Sequence, residues 1–337
     1  MKTAKRFLRF DDALLPNLAA WTYMLGAYVF GFAAIMAASP WLNAAGVLLL
    51  AHGMVIAAYF IHECAHDSLF MDARDNRRFG EVLLWICGAS YSDYEAIKHK
   101  HTRHHMDRAD IVSFDFRERL PAYPKLLKTI QVLEWFYIPA LEIMMHALVV
   151  ILPFVKDSRR HLRRRVVTVL LLRFAFFAVL ASISPRVLLL YPVAYMLFLT
   201  VMRFMDVHQH TYDVLETLDR PRGDEVKRYD RAFEGRNTYS NLMSARFPWL
   251  NLLVLNFAYH NVHHDQQIQP WYRLPKLHRK LYGNDTRQVL MFSDLVRSYH
   301  RYRVARVLNG DPADLDVRHD GGRTFIGVDG VSFLTAH

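Results

Sequence analysis

The chain has 337 residues, of which 53% are hydrophobic, and its 42 Lys and Arg residues give a formal net charge of +10. Apolar and charged residues are segregated along the chain, which is typical of an integral membrane protein rather than of a soluble domain. The positive charge does not indicate nucleic-acid binding, because no helix-turn-helix, zinc-finger or RNA-binding signature accompanies it. A basic surface that faces anionic lipid explains the charge better.

Four long apolar stretches are the main structural signal in the sequence. Each is long enough for one membrane span, because a helix needs about 20 residues to cross the hydrocarbon layer. The short turns at Pro40 and Pro185 leave no room for external domains, so the stretches pair into two predicted hairpins. The four predicted spans lie at 17–38, 41–61, 166–183 and 187–206.

Two further apolar stretches lack the features of a span. The stretch 126–155 carries acidic residues and is expected to form an interfacial or partly inserted helix. The stretch 247–259 is too short to cross a bilayer and is expected to form a helix packed on the cytoplasmic side. A single membrane-embedded domain is therefore predicted over 1–310, followed by a loosely packed extension at 311–337.

The distribution of basic residues predicts which side of the membrane each segment occupies. Lys and Arg precede the first predicted span and are dense at 156–165, whereas the two hairpin turns contain only Arg186. By the positive-inside rule, both termini and both long loops are expected in the cytoplasm. In a bacterium, the membrane of this multi-pass protein would be the inner, or plasma, membrane.

Three histidine clusters lie at a predicted span end or in predicted cytoplasmic segments. The first is His-Glu-Cys-Ala-His, and the other two share the spacing His-x-x-His-His. Neutral imidazole is a good ligand for iron, zinc and copper. One such cluster is weak evidence for a metal, but three on one predicted face are hard to explain as surface histidines. The eight residues are His62, His66, His101, His104, His105, His260, His263 and His264.

Helical spacing predicts how each cluster is divided between metals. Residues four apart lie one above another on a helix, so His62 and His66 are expected to reach one site. In each His-x-x-His-His cluster, the first and second histidines are three apart and are expected to share a face. The third is rotated by about 100° from its neighbour and is expected to serve a second metal.

A further pair of histidines follows the fourth predicted span directly. His208 and His210 are expected to lie level with the other clusters, and either is a candidate metal ligand. A polar histidine at the interface is the alternative for both.

The clusters HECAH, HTRHH and HNVHH, in this order and with these intervals, closely resemble the three histidine boxes of the membrane fatty acid desaturases and related hydroxylases. The resemblance covers about 62–281 and includes the segment PWYRLPKLH after the third box. The motif QHT at 209–211 resembles the histidine that precedes the third box in acyl-lipid desaturases. It favours His210 over His208 as the ninth ligand, although a role of His208 as a ligand stays open.

The resemblance implies a fold, a cofactor and a reaction. The expected fold is an all-α integral membrane protein, in which four spanning helices carry a cytoplasmic helical cap that holds a non-haem di-iron centre. Such a centre uses O2 as co-substrate and oxidises an unactivated C–H bond of a fatty acyl chain, while the protein positions that chain. The implied iron ligands are His62, His66, His101, His104, His105, His210, His260, His263 and His264.

Acidic residues near the boxes are candidates for orienting these ligands. Asp206 precedes His210 by four residues and is expected to hydrogen-bond its imidazole if the helix continues that far, with solvation at the interface as the alternative. The others are expected to act mainly as caps or ion-pair partners, and they are Asp67, Asp107, Asp110 and Asp265.

Two electrons must come from a separate protein, because the chain has no cytochrome b5 haem motif, no GxGxxG and no cysteine set for an iron–sulfur centre. The implied donor is a ferredoxin, a rubredoxin or a cytochrome b5-type protein that docks on the basic cytoplasmic face. The other implied partners are the lipid bilayer and a fatty acyl substrate that is free, carrier-bound or lipid-bound.

The boxes alone do not fix the reaction, since desaturases, hydroxylases and decarboxylases share them. Introduction of a C=C bond is favoured, with hydroxylation and oxidative decarboxylation to a terminal alkene as alternatives. A membrane zinc metalloprotease is an interpretation from another class, because HECAH fits HExxH, but it would leave two boxes unused. A membrane electron carrier is another, but it would hold its histidines within the spans.

The remaining histidines match no box. His52, inside the second predicted span, is expected to bond to a neighbouring helix. The others are expected at the surface and are His99, His146, His161, His278, His300, His319 and His337.

Overall fold

The computed structural model of the protein is mostly helical, as predicted. It describes residues 7–212, 214–220, 224, 227, 229–308, 325, 327 and 332–336. Within these residues, four helices are long and apolar enough to cross a membrane, which confirms the predicted number of candidate spans. They are Leu14–Met36, Pro40–Ala65, Asp157–Ile183 and Val187–Val207.

The first two long helices are α1 (Leu14–Met36) and α2 (Pro40–Ala65). α2 begins with a proline, whose missing N–H costs no hydrogen bond there, and Ser39 caps it by accepting from the backbone N–H of Leu42. α2 continues beyond the apolar stretch that predicted it and includes His62, which is buried. The helix therefore extends from apolar residues into the first histidine box.

Small residues let α1 and α2 pack closely against each other. A Cβ atom at Gly31 would lie 2.9 Å from the Cβ atom of Leu50. One at Gly46 would lie 2.8 Å from the backbone nitrogen of Ile35. Because these distances are shorter than ordinary contacts, a larger residue at either glycine would push the two helices apart.

The chain divides into two compact units. The first unit contains residues 7–95 and His146–Leu199, and the second contains the described residues of Ala96–Met145 and Thr200–Ala336. Both units include parts of the predicted domain at 1–310, so the limits of that domain stay a prediction.

The first unit also contains α3 (Ala73–Ile86), whose N-terminus is capped by Asp72 through a backbone N–H at 2.9 Å. A 3₁₀ turn at Asp157–Leu162 leads directly into α8 (Arg163–Ile183). The fourth long helix, α9 (Val187–Val207), begins in the first unit and ends in the second.

The second unit holds shorter helices, some of which begin or end in the first unit. They are α4 (Tyr94–Asp107), α5 (Phe116–Arg119), α6 (Pro124–Trp135), α7 (Ala140–Val155), α10 (Arg231–Arg236), α11 (His260–Asp265), α12 (Leu274–Tyr282) and α13 (Phe292–Tyr302). Short 3₁₀ segments lie at Leu120–Ala122, Pro248–Val254 and Ala305–Leu308.

Two predicted helices differ from the observed ones. The stretch 126–155 forms two helices rather than one, because Tyr137 has a positive φ of 62° and Pro139 disfavours helical backbone just before it. The stretch 247–259 forms a 3₁₀ segment rather than an α-helix, and Leu255 at its end is left-handed with φ 49°.

The second unit also contains four three-residue strands, which the all-α prediction missed. β1 (Asp110–Val112) pairs in parallel with β2 (Leu215–Thr217), and β3 (Ser240–Leu242) pairs in parallel with β4 (Val289–Met291). Three residues are too few to show the alternation that identifies a strand in a sequence.

The described residues of the predicted extension at 311–337 are buried apart from Phe333, which is half-buried, and this corrects the expectation of loose packing for these residues. Phe325, Ser332, Leu334 and Thr335 each have no exposed surface. The rest of that stretch lies largely outside the described residues.

Candidate metal centre

Seven predicted ligands lie in the second unit, and the structure gathers them into two clusters. In each cluster, one nitrogen atom of every member lies within 4.8 Å of one from every other member. Cluster A consists of His101, His105 and His263. Cluster B consists of His104, His210, His260 and His264. All are buried except His104, which is half-buried.

The division of each box differs from the prediction. α4 sends His101 and His105 to cluster A, whereas the middle histidine, His104, belongs to cluster B. α11 sends His260 and His264 to cluster B, whereas its middle histidine, His263, belongs to cluster A. Histidines four apart therefore share a cluster, not those three apart. The reason is helical geometry, since four residues overshoot a full turn by about 40° and three fall short of it by about 60°.

Within each cluster, the Nε2 atoms converge. In cluster A, the Nε2 atom of His105 lies 3.1 Å from that of His101 and 3.2 Å from that of His263. In cluster B, the Nε2 atom of His210 lies 3.0 Å from that of His104 and 2.8 Å from that of His260. Two nitrogens bound to one metal at about 2.1 Å and at right angles would be about 3.0 Å apart. These separations fit a metal site.

Hydrogen bonds at the opposite ring nitrogens set the tautomers of two histidines of cluster B. The Nδ1 atom of His104 donates to the carbonyl oxygen of Ala109 at 3.0 Å, and that of His264 donates to the carboxylate of Glu234 at 2.8 Å. Since a neutral imidazole carries one proton, both Nε2 atoms present lone pairs. The Nε2 atom of His264 has no hydrogen-bond partner among the described residues. Converging buried lone pairs repel one another unless a cation lies between them, and this donor set suits one.

Burial keeps the cluster B histidines neutral. Burial, together with the neighbouring His264, lowers the pKa of His104 to about 3. Burial also lowers the pKa values of His210, His260 and His264, although Glu234 opposes part of the shift at His264. Metal binding near neutral pH would therefore need no proton release from these rings.

Glu234 is a residue of the site that sequence reasoning missed. It lies on α10, whose N-terminus Asp230 caps by accepting from the backbone N–H of Phe233 at 2.7 Å. Burial raises the pKa of Glu234, but the bonds from His264 and Arg108 lower it more, so the carboxyl is held below its usual range. No spacing relates Glu234 to a histidine box, and the sequence carried no signal for it.

The first unit holds the other two predicted ligands, His62 and His66. His62 lies in the last turn of α2 and His66 follows its end, with their ring centroids 4.7 Å apart. Glu63, which a zinc protease would use as its base, is buried and accepts a hydrogen bond from the hydroxyl of Ser68 at 2.8 Å. That contact gives the HExxH interpretation no support.

His208 and His210 have different surroundings. The Nδ1 atom of His208 donates to the carbonyl oxygen of Phe204 at 2.7 Å, and its ring contacts Tyr299 and Phe325. His208 belongs to neither cluster, whereas His210 lies in cluster B. The structure thus places the QHT histidine with histidines of the second and third boxes.

α9 ends at Val207, so Asp206 and His210 do not lie on one helix, and the condition for the predicted hydrogen bond between them is not met. His210 instead forms a β-bridge with Thr238, whose hydroxyl lies 3.3 Å from the Nδ1 atom of His210. Asp206 lines the cavity beside cluster B, so it stays a candidate for acting on the site by another route.

A cavity of about 70 Å³ adjoins cluster B. Three of its lining residues are His104, His210 and His260. Its apolar wall is formed by Ile111, Val112, Phe116, Leu215, Phe257 and Phe333. Its polar wall includes Lys100, Asp110, Asp206 and Gln209, and His101 of cluster A also lines it.

Other sequence predictions have mixed outcomes. His52 bonds to Tyr23 on α1 at 2.5 Å, as expected. His99, His161 and His300 are exposed as predicted, and His146 is half-buried. The surface prediction is wrong for His278, because it lies on the buried face of α12 and stacks on Tyr282. His319 and His337 lie outside the described residues.

Two acidic residues beside the boxes form ion pairs, as expected. Asp107 pairs with Arg103 at 2.8 Å, and Asp265 pairs with Arg231 at 3.4 Å. Neither carboxylate belongs to a histidine cluster.

The histidine clusters, the apolar helices and the order of the boxes together define a membrane-associated metalloprotein. Comparison with models of known families matches residues 39–296 to the fatty acid desaturase family. The chain therefore belongs to the fatty acid desaturase family, which confirms the resemblance and makes the protein an oxidoreductase that acts on fatty acids. No curated protein and no solved structure gave a match.

Proposed function

We propose that the protein is an O2-dependent, non-haem di-iron oxidase of the membrane that introduces a C=C bond into a fatty acyl chain. The observation that carries this proposal is the pair of histidine clusters, A and B, that share α4 and α11. Two clusters on the same two helices fit two metal ions better than one. Their all-nitrogen donors suit iron, and the family's first box adds His62 and His66 to the ligand set.

Bound iron would supply the reduction of O2 and the oxidation of the chain. The overall reaction removes two hydrogen atoms from neighbouring carbons and, with two electrons and two protons from outside, reduces one O2 to two water molecules. The protein's part is to hold the acyl chain in place and to exclude competing reactions.

The cavity beside cluster B suits the binding of an acyl chain. Its volume is several times the roughly 10–15 Å³ of probe-occupied space that one water molecule needs, so it can hold the reacting carbons of a chain. The apolar side chains of Ile111, Phe116 and Leu215 on its wall match a methylene chain and disfavour water. Glu234 and Ala109 keep the protons of His264 and His104 on the far side of the rings.

The four apolar helices support a multi-pass placement in the bilayer, and the basic segment at 156–165 supports a cytoplasmic position for the histidine clusters and both termini. An electron donor such as a ferredoxin, a rubredoxin or a cytochrome b5-type protein would then reach the clusters from the cytoplasm. Acidic donors would be attracted by the net charge of +10.

Expression in a host of defined lipid composition, followed by mass spectrometry of fatty acids and volatile hydrocarbons, tests the proposal. We expect a new unsaturated fatty acid with the wild-type chain and none with His104→Ala. The matched control is His99→Ala, an exposed histidine on the same helix, and it should behave as wild type.

Other products would identify the alternative reactions of the same centre. A new hydroxy fatty acid would indicate hydroxylation, and a terminal alkene one carbon shorter would indicate oxidative decarboxylation. An unchanged lipid and hydrocarbon profile, with iron-loaded protein in the membrane fraction and a competent electron donor present, would contradict all three.

A further inference from the structure

Residues 332–336, the clamped segment, form a buried turn in the second unit. The backbone N–H of Thr335 donates to the carbonyl oxygen of Ser332 at 3.3 Å, and that of Leu334 donates to the hydroxyl of Ser332 at 3.1 Å. Apart from Phe333, these residues have no exposed surface. The segment is therefore packed as tightly as the core around it.

Lys100 holds this turn from α4, next to the ligand His101. Its ammonium group donates to the carbonyl oxygens of Ser332 and Thr335 at 2.9 and 3.1 Å, and to the hydroxyl of Thr335 at 3.2 Å. An ammonium group has three donors, so the clamped segment can accept from all of them. Lys100 is only 3% exposed, and water cannot easily replace these bonds.

Two further side chains hold the same turn. Glu142 at the start of α7 accepts from the backbone N–H of Ser332 at 3.0 Å. Ser113 donates from its hydroxyl to the carbonyl oxygen of Thr335 at 2.9 Å. Lys100 and Glu142 are buried charges of opposite sign. Release of the turn would break the hydrogen bonds that both side chains make to it, which is costly for buried charges. The clamped segment is a fixed part of the second unit.

The clamp places one side chain beside the histidines. The phenyl ring of Phe333 lines the cavity, and its centroid lies 5.9 Å from that of the His101 ring. Leu334, the next residue, is fully buried and does not line the cavity. Phe333 is thus the member of the clamped segment that limits the space available next to the metal clusters.

We propose that Phe333 is a specificity-determining residue, and that the clamp formed by Lys100, Glu142 and Ser113 fixes its ring as a stop for the acyl chain. The inference rests on the proposed acyl oxidation. A fixed aromatic wall limits how far a chain can advance past the metals, and so it selects which carbons are oxidised and which chain lengths bind. A smaller side chain would let the chain advance further.

The test compares Phe333→Ala with Leu334→Ala in the iron-loaded, full-length protein. Saturated fatty acids of graded length are supplied, and the position of oxidation and the affinity for each acid are measured. We expect Phe333→Ala to keep its iron, to move the oxidised position along the chain and to shift the preferred length in binding. Leu334→Ala should leave both profiles unchanged.

The binding series is informative even without turnover. If the wild-type chain oxidises no fatty acid, the proposed function fails, and a length preference that shifts only in Phe333→Ala still supports the stop. Identical position and length profiles in Phe333→Ala and wild type would overturn the inference while leaving the proposed function intact.

The clamp is tested by hydrogen exchange of the amides at 332–336. Lys100→Met should speed their exchange and move the oxidised position in the same direction as Phe333→Ala, whereas the control Lys98→Met on the same helix should do neither. If Lys100→Met fails to fold, Thr335→Val removes one bond of the clamp and should give a smaller change of the same kind. Unchanged exchange in Lys100→Met or, in its place, Thr335→Val would overturn the role of the clamp.

Discussion

The carboxylate of Glu234 accepts a hydrogen bond from the Nδ1 atom of His264 at 2.8 Å, and this contact fixes which nitrogen of His264 faces the other histidines. A second bond, from the Nε atom of Arg108 at 3.0 Å, holds the carboxylate in place. Glu234 therefore orients a histidine of cluster B and increases the electron density on the Nε2 atom of its ring. It belongs to no histidine box, yet it contacts a histidine of the site.

Replacement of Glu234 by Ala should weaken iron binding. Loss of such a partner typically lowers metal affinity by about 10–100-fold, because the ring can rotate and change its tautomer. The measurement is the iron retained during titration with a chelator. Glu118→Ala, which changes an exposed carboxylate, is the control and should match wild type. Equal retention in Glu234→Ala and wild type would contradict a role of Glu234 in orienting His264.

Much of the fold could be predicted from the sequence, because membrane spans and histidine boxes are local patterns. Apolar stretches of about 20 residues gave the four candidate spans. The ends of the spans were harder to predict. For example, α2 continues to Ala65, beyond its apolar stretch, because burial stabilises its last turn. The boxes were found because spacing within a helix is visible in the sequence.

The rest depends on contacts between distant residues. Helical spacing explains how each box divides, but the pairing of α4 histidines with α11 histidines in shared clusters depends on where the two helices meet, which no local pattern shows. Glu234 on α10 and Thr238, just beyond that helix, contact histidines of cluster B, and Lys100 holds residues more than two hundred positions away. Three-residue strands such as β1 were likewise too short to predict.

His210 and His208 should respond differently to replacement by Ala. His210→Ala should lose iron and activity, because it removes a nitrogen from cluster B. His208→Ala should keep iron but lower the melting temperature, since it leaves a cavity beside Phe204, with a cost of about 1–3 kcal/mol. Asp206→Ala should fall between them. Iron content and thermal unfolding in detergent measure both effects, and the reverse order would contradict the assignment of His210 to the site.

The buried ion pair of Glu134 with Arg203 should be important for stability. Glu134 also accepts from the backbone N–H of Leu141 at 3.0 Å, at the start of α7. Glu134→Ala should destabilise the protein by about 3–5 kcal/mol, because it leaves a buried guanidinium without its carboxylate. The double variant Glu134→Leu with Arg203→Met should recover most of this loss. Denaturant unfolding in detergent measures the free energy of unfolding of each variant. A double variant that is no more stable than Glu134→Ala would contradict the prediction.

Reporter fusions test the proposed orientation in the membrane. Fusions at Gly80 and Arg160 should report the cytoplasm, and one at Ala38, between α1 and α2, should report the opposite side. The control is a variant in which the arginines at 163–165 are replaced. Removal of this positive charge should weaken the cytoplasmic signal at Arg160. A cytoplasmic signal at Ala38 would contradict the crossing of the bilayer by α1 and α2.

The iron content of the purified wild-type protein, measured by elemental analysis with Mössbauer spectroscopy of the bound metal, tests the central claim most directly. Clusters A and B predict about two non-haem iron ions per chain, with each of His104→Ala and His105→Ala lowering that number. The exposed His99→Ala should keep it. One zinc ion per chain, haem iron, or full iron loading of both cluster variants would contradict the di-iron account.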